Sequence, residues 1–119
     1  MTRISLLAAG LVTALALAAP VGAMGPTKLK GTTGPGFTIS LKKGTAKVKT
    51  LKPGKYSITV QDKSRIHNFR LKGPGLNKQI TTLSFLGTKT VTVTLKKGKY
   101  TYLCDPHAVQ GMRGSFTVK

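Results

Sequence analysis

The chain has 119 residues, enough for one small domain, and its 20 lysines and arginines against two acidic residues give a formal charge of +18. The acids are Asp62 and Asp105, so chemistry built on paired carboxylates, such as glycosidase, aspartic protease or two-metal hydrolase action, is excluded. A single cysteine, Cys104, rules out an intrachain disulfide scaffold and a multi-thiolate zinc site, leaving one thiol to be inert, reactive or coordinated.

Residues 1–23 read as a signal peptide. Arg3 gives a positive start, residues 4–19 are apolar apart from Ser5, Gly10 and Thr13, and Val21-Gly22-Ala23 fits a small-residue cleavage signal. Pro20 breaks the apolar run where a membrane span would have to continue, so the mature chain is expected to have no transmembrane segment. The expected location is secreted or in the cell envelope, periplasmic or extracellular. Residues 24–35 hold Gly, Pro and Thr with almost nothing apolar to bury, which predicts a flexible leader. Residues 36–119 remain as the working domain.

From Phe37 the pattern changes to short runs of β-branched and aromatic residues cut by Gly, Pro and Lys. In chain order the predicted strands are Phe37–Leu41, Ala46–Leu51, Tyr56–Val60, Phe69–Leu71, Ile80–Phe85, Val91–Leu95, Tyr100–Cys104 and Ser115–Val118. Tyr56-Ser57-Ile58-Thr59-Val60 and Val91-Thr92-Val93-Thr94-Leu95 are the clearest, because apolar and hydroxyl residues alternate and one sheet face is buried. No stretch after residue 23 has helical periodicity. About eight short strands in one domain predict an all-β, Greek-key β-sandwich. Leu51-Lys52-Pro53-Gly54-Lys55-Tyr56 recurs as Leu95-Lys96-Lys97-Gly98-Lys99-Tyr100. Each copy is a turn feeding a strand, and a tyrosine just after such a turn can return its hydroxyl to upstream backbone and lock the corner.

The chemistry lies near the end of the chain. Cys104-Asp105-Pro106-His107-Ala108-Val109-Gln110-Gly111-Met112 places a thiolate, an imidazole and a thioether on one loop. All three are soft or borderline metal ligands. A fourth must come from elsewhere, and the one other histidine is His67, in Ile66-His67-Asn68-Phe69. Two His, one Cys and a weak axial Met form the arrangement that suits a blue-copper electron-transfer site. Zinc or cobalt would accept the same nitrogens and sulfur, but a thioether adds little for them, so Met112 favours copper. A Cys–His nucleophile is the competing reading; Cys104 and His107 share one short loop and no orienting group or oxyanion-stabilising element is evident.

The C-x2-H-x4-M loop with the upstream His67-Asn68-Phe69 segment resembles the cupredoxins, in particular the plastocyanin-like blue copper proteins, over about residues 37–119. The resemblance implies a cupredoxin-like sandwich and ligation of one copper ion, cycling between Cu(I) and Cu(II), by His67, Cys104, His107 and Met112. It implies that Asn68 ties the two ligand loops together and offers its backbone N–H to the cysteine sulfur, and that His107 is the solvent-near edge where electrons leave. Pro106 matches the same pattern and removes one N–H that could otherwise bond the sulfur. Asp105 departs from it: a small hydroxyl residue is common there, and a charge beside the thiolate tends to stabilise Cu(II). The lysine-rich surface departs as well from the acidic or mixed surfaces of photosynthetic relatives.

Lys42, Lys43, Lys47, Lys49, Lys52 and Lys55 cluster early, and Lys96, Lys97 and Lys99 recur beside the second corner. Some serve to keep edge strands from aggregating. The excess points to an acidic redox partner protein or an anionic cell-envelope surface. Specific nucleic-acid binding is not expected, since no recognised motif or stacking platform accompanies the charge. The expected function is that of a monomeric type 1 copper protein carrying single electrons, not an enzyme; a copper carrier or copper-resistance protein would use the same ligands with exchangeable metal.

Overall fold

A computed structural model of the protein describes Gly10 and residues 25–119, so the signal-peptide assignment of residues 1–23 lies outside the described residues. Ten strands form two sheets packed face to face: β1 (Thr27–Thr33), β2 (Ile39–Lys43), β3 (Ala46–Lys47), β4 (Thr50–Leu51), β5 (Gly54–Asp62), β6 (Phe69–Gly73), β7 (Leu76–Thr81), β8 (Gly87–Leu95), β9 (Gly98–Leu103) and β10 (Arg113–Val118). The first sheet has the order β3-β2-β1-β5-β8 and the second β4-β10-β9-β6-β7. No helix among the described residues is long and apolar enough to cross a membrane.

Alternation decides which residues face the core. On β5, Tyr56, Ile58 and Val60 are buried while Ser57 and Thr59 are less so, and on β9 Tyr100 and Tyr102 point inward. Leu41, Ile58, Phe69, Leu71, Ile80 and Leu95 fill the space between the sheets, each aliphatic or aromatic side chain contributing ~1.5–3 kcal/mol of burial. Phe69 stacks on Tyr102 at 5.8 Å and Tyr100 on Phe116 at 5.4 Å. Gly114 lies opposite Tyr102 in the β9–β10 ladder, and a Cβ there would run into the Tyr102 ring. The glycine is therefore a packing requirement.

Three strand expectations need correction. The flexible leader is in fact β1, the central strand of the first sheet, paired with β2 and, in parallel, with β5 from Thr27↔Tyr56 to Thr33↔Asp62. Its inward residues are Leu29, Gly31 and Thr33. Gly31 is small because the Phe69 ring lies where its Cβ would be, so the apolar signal that marks a core strand is supplied by a neighbour. The single run Ala46–Leu51 is two short strands in different sheets, joined by the crossing at Val48 and Lys49. The strand expected at Ile80–Phe85 instead occupies Leu76–Thr81. As an edge strand it shows Asn77, Lys78 and Gln79 to solvent, which hides it from a hydrophobicity scan.

Both tyrosine corners form, with different bonding. Tyr56 Oη donates to the Lys52 carbonyl at 2.6 Å. Tyr100 Oη accepts the Lys96 N–H at 2.9 Å and donates to the Pro74 carbonyl at 3.2 Å, joining the β8–β9 corner to the β6–β7 turn. The registers place the β1–β2, β5–β6, β7–β8 and β9–β10 loops at one end of the sandwich and the two corners at the other.

Candidate metal centre

The β9–β10 loop is built around two turns of 3-10 helix, Asp105–Gln110, with Cys104 extended before it and Pro106 in its first turn. The tight turn that follows Cys104 brings the His107 imidazole back to the sulfur. The His107 N–H bonds to the Cys104 carbonyl at 3.1 Å. Gly111, at φ 94°, reverses the chain in the left-handed region. Met112 then gives its N–H to the His107 carbonyl at 3.2 Å and takes the Cys104 N–H on its own carbonyl at 3.1 Å. Met112 is thereby pinned by its backbone to two of the other candidates, and its side chain is fully buried.

His67 arrives from the β5–β6 loop, where the Ser64 N–H bonds to Asp62 Oδ1 at 3.1 Å and the Ser64 hydroxyl accepts the Ile66 N–H at 3.3 Å. Its ring is buried and meets the other loop directly. His67 Nδ1 lies 3.0 Å from His107 Nδ1, and Cys104 Sγ lies 3.6 Å and 3.5 Å from those two nitrogens. The circle through these three atoms has a radius of about 2.0 Å, which is the length of a bond from imidazole nitrogen to a first-row metal ion. One proton can bridge the two nitrogens as a hydrogen bond, their roles set by the tautomers, and a cation seated among the three atoms would take that proton's place. The donor set fits a soft-to-borderline ion, and two nitrogens with one thiolate in a trigonal array suit copper.

Around this trio, Asn68 joins the two loops as the resemblance implies. Its Oδ1 accepts the Asp105 N–H at 2.7 Å, and its Nδ2 donates to Asp105 Oδ2 at 2.7 Å and to Gln79 Oε1 at 3.0 Å. Thr33 Oγ1 donates to the Asn68 carbonyl at 3.2 Å, which anchors the His67 segment to β1. The polar contacts of Cys104 Sγ among the described residues are the two imidazoles. The tie runs through the Asn68 side chain.

Asp105 is not the lone charge that its position in the sequence implies. Arg70 Nε donates to both of its oxygens, at 3.0 and 2.9 Å, and Arg70 Nη1 donates to Asn77 Oδ1 at 2.9 Å. No motif marks Arg70, yet β6 alternates Phe69 in, Arg70 out, Leu71 in, and the β6–β9 register sets Arg70 opposite Leu103, two residues from Asp105.

Phe37 was also missed as a site residue. It lies in the β1–β2 loop, 60% exposed, with its ring edge-on to His107 at 4.6 Å and to His67 at 5.6 Å. Phe37 opens the expected strand Phe37–Leu41, and only the start of β2 at Ile39 leaves it in the loop where it meets both rings. His107 itself is half-buried, and Val109 on the same helical turn is 93% exposed.

Asp62 ends β5 and bonds the loop that carries His67. It is buried, and its Oδ2 and the buried Thr81 Oγ1 both lack a hydrogen-bond partner. Burial pushes the Asp62 carboxyl up, opposed by the Thr81 hydroxyl, the Ser64 N–H and His67. The hydroxyl is thus near enough to favour the carboxylate without meeting the geometry of a bond.

Comparison with known proteins agrees with this geometry. The chain resembles solved structures of rusticyanin, a copper protein, in one case at 21% identity over 77% of this chain and 76% of the other, with a TM-score of 0.58. Rusticyanin from Thiobacillus ferrooxidans matches at 26% identity over 77% of this chain and 76% of that one, TM-score 0.55. Reduced rusticyanin matches at 24% identity over 81% and 82%, TM-score 0.55. A comparison with curated proteins by sequence found no match. Residues 38–119 match the family described as copper binding proteins, plastocyanin/azurin family. A cupredoxin sandwich with His67, Cys104 and His107 converging at one end thus completes the case: the chain belongs to the plastocyanin/azurin family of copper-binding proteins, with one copper ion as its cofactor.

Proposed function

We propose that the protein is an exported one-electron carrier in which His67, Cys104 and His107, with the thioether of Met112, would hold the copper ion. The observation that carries this reading is the convergence of two Nδ1 atoms and one Sγ at 3.0–3.6 Å on a loop held by backbone hydrogen bonds. Bound copper supplies a one-electron couple. The chain's own part is to resist rearrangement: Cys104 is continuous with β9, Met112 runs into β10, and Asn68 clamps the His67 segment to Asp105. A frame that is rigid in both oxidation states keeps reorganisation small. A solved relative in the reduced form fits such a role.

Four protein donors around one ion leave no open position for a substrate, so the role is a carrier's and not an enzyme's. His107 is the exit, being half-buried beneath Phe37 while His67 is closed off. The partners are an acidic redox protein or an anionic cell-envelope surface, met by a monomer after cleavage beyond residue 23. Cupric salt added to the purified protein is expected to give one copper per chain, an intense visible absorption and fast, reversible one-electron voltammetry. Copper that passes readily to a modest chelator, or no intense absorption, overturns the carrier reading.

A further inference from the structure

We propose that the end of the sandwich remote from the metal centre is a groove for a linear polyanion, an oligomer bearing several phosphate, sulfate or carboxylate groups. A cavity of about 820 Å³ opens there between the start of β1, the end of β2, β4, the β4–β5 turn and residue 119. Lys43, Lys52, Lys55 and Lys119 line it. They come from three separate segments, the end of β2, the β4–β5 turn with the start of β5, and residue 119, so it is the fold that brings their charges to one place. No acidic side chain among the described residues pairs with them. Both acidic side chains sit at the metal end, where Asp62 is buried and Asp105 is engaged by Arg70 in the single ion pair among the described residues.

The groove is also organised. Tyr56 Oη bonded to the Lys52 carbonyl fixes the Lys52–Pro53 turn, and the Lys119 N–H bonded to the Leu51 carbonyl at 3.0 Å fixes the last residue beside β4. Thr27 and Thr50 add hydroxyl-bearing positions to the lining, and Leu51 and Pro53 add apolar ones. Like charges gathered round a concavity repel one another and focus potential into it, and an anionic chain lying in the cleft relieves both. A flat bilayer would meet only the rim, which favours a chain over a lipid surface. The nine residues of β5 separate this end from the metal end, roughly 27 Å at strand rise. A bound polymer would hold the protein by one end and leave His107 free. The inference rests on the lysines and the cavity, and copper plays no part in it.

The test is isothermal titration of the purified protein, with and without copper, against a short linear polyphosphate, with orthophosphate and phosphatidylglycerol vesicles as separate arms. Neutralising the groove by Lys52→Gln, Lys55→Gln and Lys119→Gln is expected to weaken polyphosphate binding roughly tenfold or more and to flatten its salt dependence. A control of equal charge change at the other end, Lys63→Gln, Arg65→Gln and Lys89→Gln, is expected to change binding less than about twofold. Equal losses in both triples overturn the groove in favour of net charge alone. Orthophosphate binding as tightly as the polymer, or vesicles binding more tightly with the same sensitivity to the groove triple, also overturns it. An unchanged visible spectrum in the groove triple keeps this outcome separate from the copper reading.

Discussion

Among the described residues, the buried polar side chains, Thr33, Asp62, His67, Asn68 and Thr81, and the exposed large apolar ones, Phe37, Ile66, Leu83, Leu86 and Val109, all gather at the metal end. The opposite end obeys the usual rule, with Leu51, Tyr56 and Tyr100 inside and lysines outside. Buried polar groups cost free energy unless they are bonded. The metal end satisfies Thr33 and Asn68 by a chain of hydrogen bonds running on to Asp105 and Arg70, but leaves Asp62 Oδ2 and Thr81 Oγ1 without partners and converges two nitrogens and a sulfur on one point. One end of the sandwich is built for stability, and the other gives some stability up to hold an ion.

Removing the sulfur is the largest break available. In Cys104→Ser the hydroxyl is a hard, poorly ionised donor, so the intense visible absorption and the high copper affinity should both be lost. The metal-free fold should change by less than about 1 kcal/mol, because the swap is small and the loop's backbone bonds are retained. Absorbance on copper titration and thermal unfolding of the metal-free protein read the two effects separately. A variant that keeps its colour means the ligand set is wrong.

The next contrast is between the tyrosine corners. Tyr100→Phe deprives both the Lys96 N–H and the Pro74 carbonyl of partners, whereas Tyr56→Phe deprives only the Lys52 carbonyl. At roughly 1 kcal/mol for each bond, the expected losses are about 2 and about 1 kcal/mol in urea unfolding. Equal losses would mean that the bridge from Tyr100 to the β6–β7 turn adds nothing.

Most of the stable end was legible in the sequence. Hydroxyl–apolar alternation revealed β5 and β8, and the repeated Leu-Lys-x-Gly-Lys-Tyr motif revealed both corners. What escaped was whatever depends on a distant neighbour. Thr27–Thr33 carries one large apolar residue, because Phe69 fills the room that Gly31 leaves, so β1 looks like a leader until the sheet is assembled. Residues 76–79 look like a loop because their strand has one bare edge. At the metal end, residue types and spacing point to His67, Cys104 and His107, whose donor atoms the structure brings together, and to Met112, whose backbone is tied to the same loop. Phe37 and Arg70 were not legible, since an aromatic ring set against two imidazoles and a guanidinium on a carboxylate are products of register and loop packing.

Asp62 sharpens the comparison further. Burial raises its folded-state pKa above the ordinary value of 3.8, so this group contributes stability that is full below that value and is lost as pH rises through the folded one. At neutral pH the buried carboxylate is therefore a cost. Asp62→Asn keeps an acceptor for the Ser64 N–H and offers the orphaned Thr81 hydroxyl an amide donor. The metal-free variant should be more stable than the parent by about 1 kcal/mol at pH 7, and the gap should close on acidification. Denaturant unfolding at a series of pH values checks it, and a gap that widens in acid contradicts it.

The smallest effect concerns Arg70. Its guanidinium offsets the Asp105 carboxylate, which follows Cys104 directly, so the oxidised site carries one fewer uncompensated anion than the sequence implies. Arg70→Gln removes the cation and leaves the anion held by Asn68, which stabilises Cu(II) and should lower the reduction potential by on the order of tens of millivolts for a pair so open to water. Asp105→Asn should raise it by a similar amount. The double variant should return near the parent, since only the dipole of the pair is lost. Both single shifts should shrink as salt is added. Voltammetry of the four proteins at two ionic strengths closes the cycle, and single shifts of the same sign would mean that loop geometry, and not charge, sets the potential.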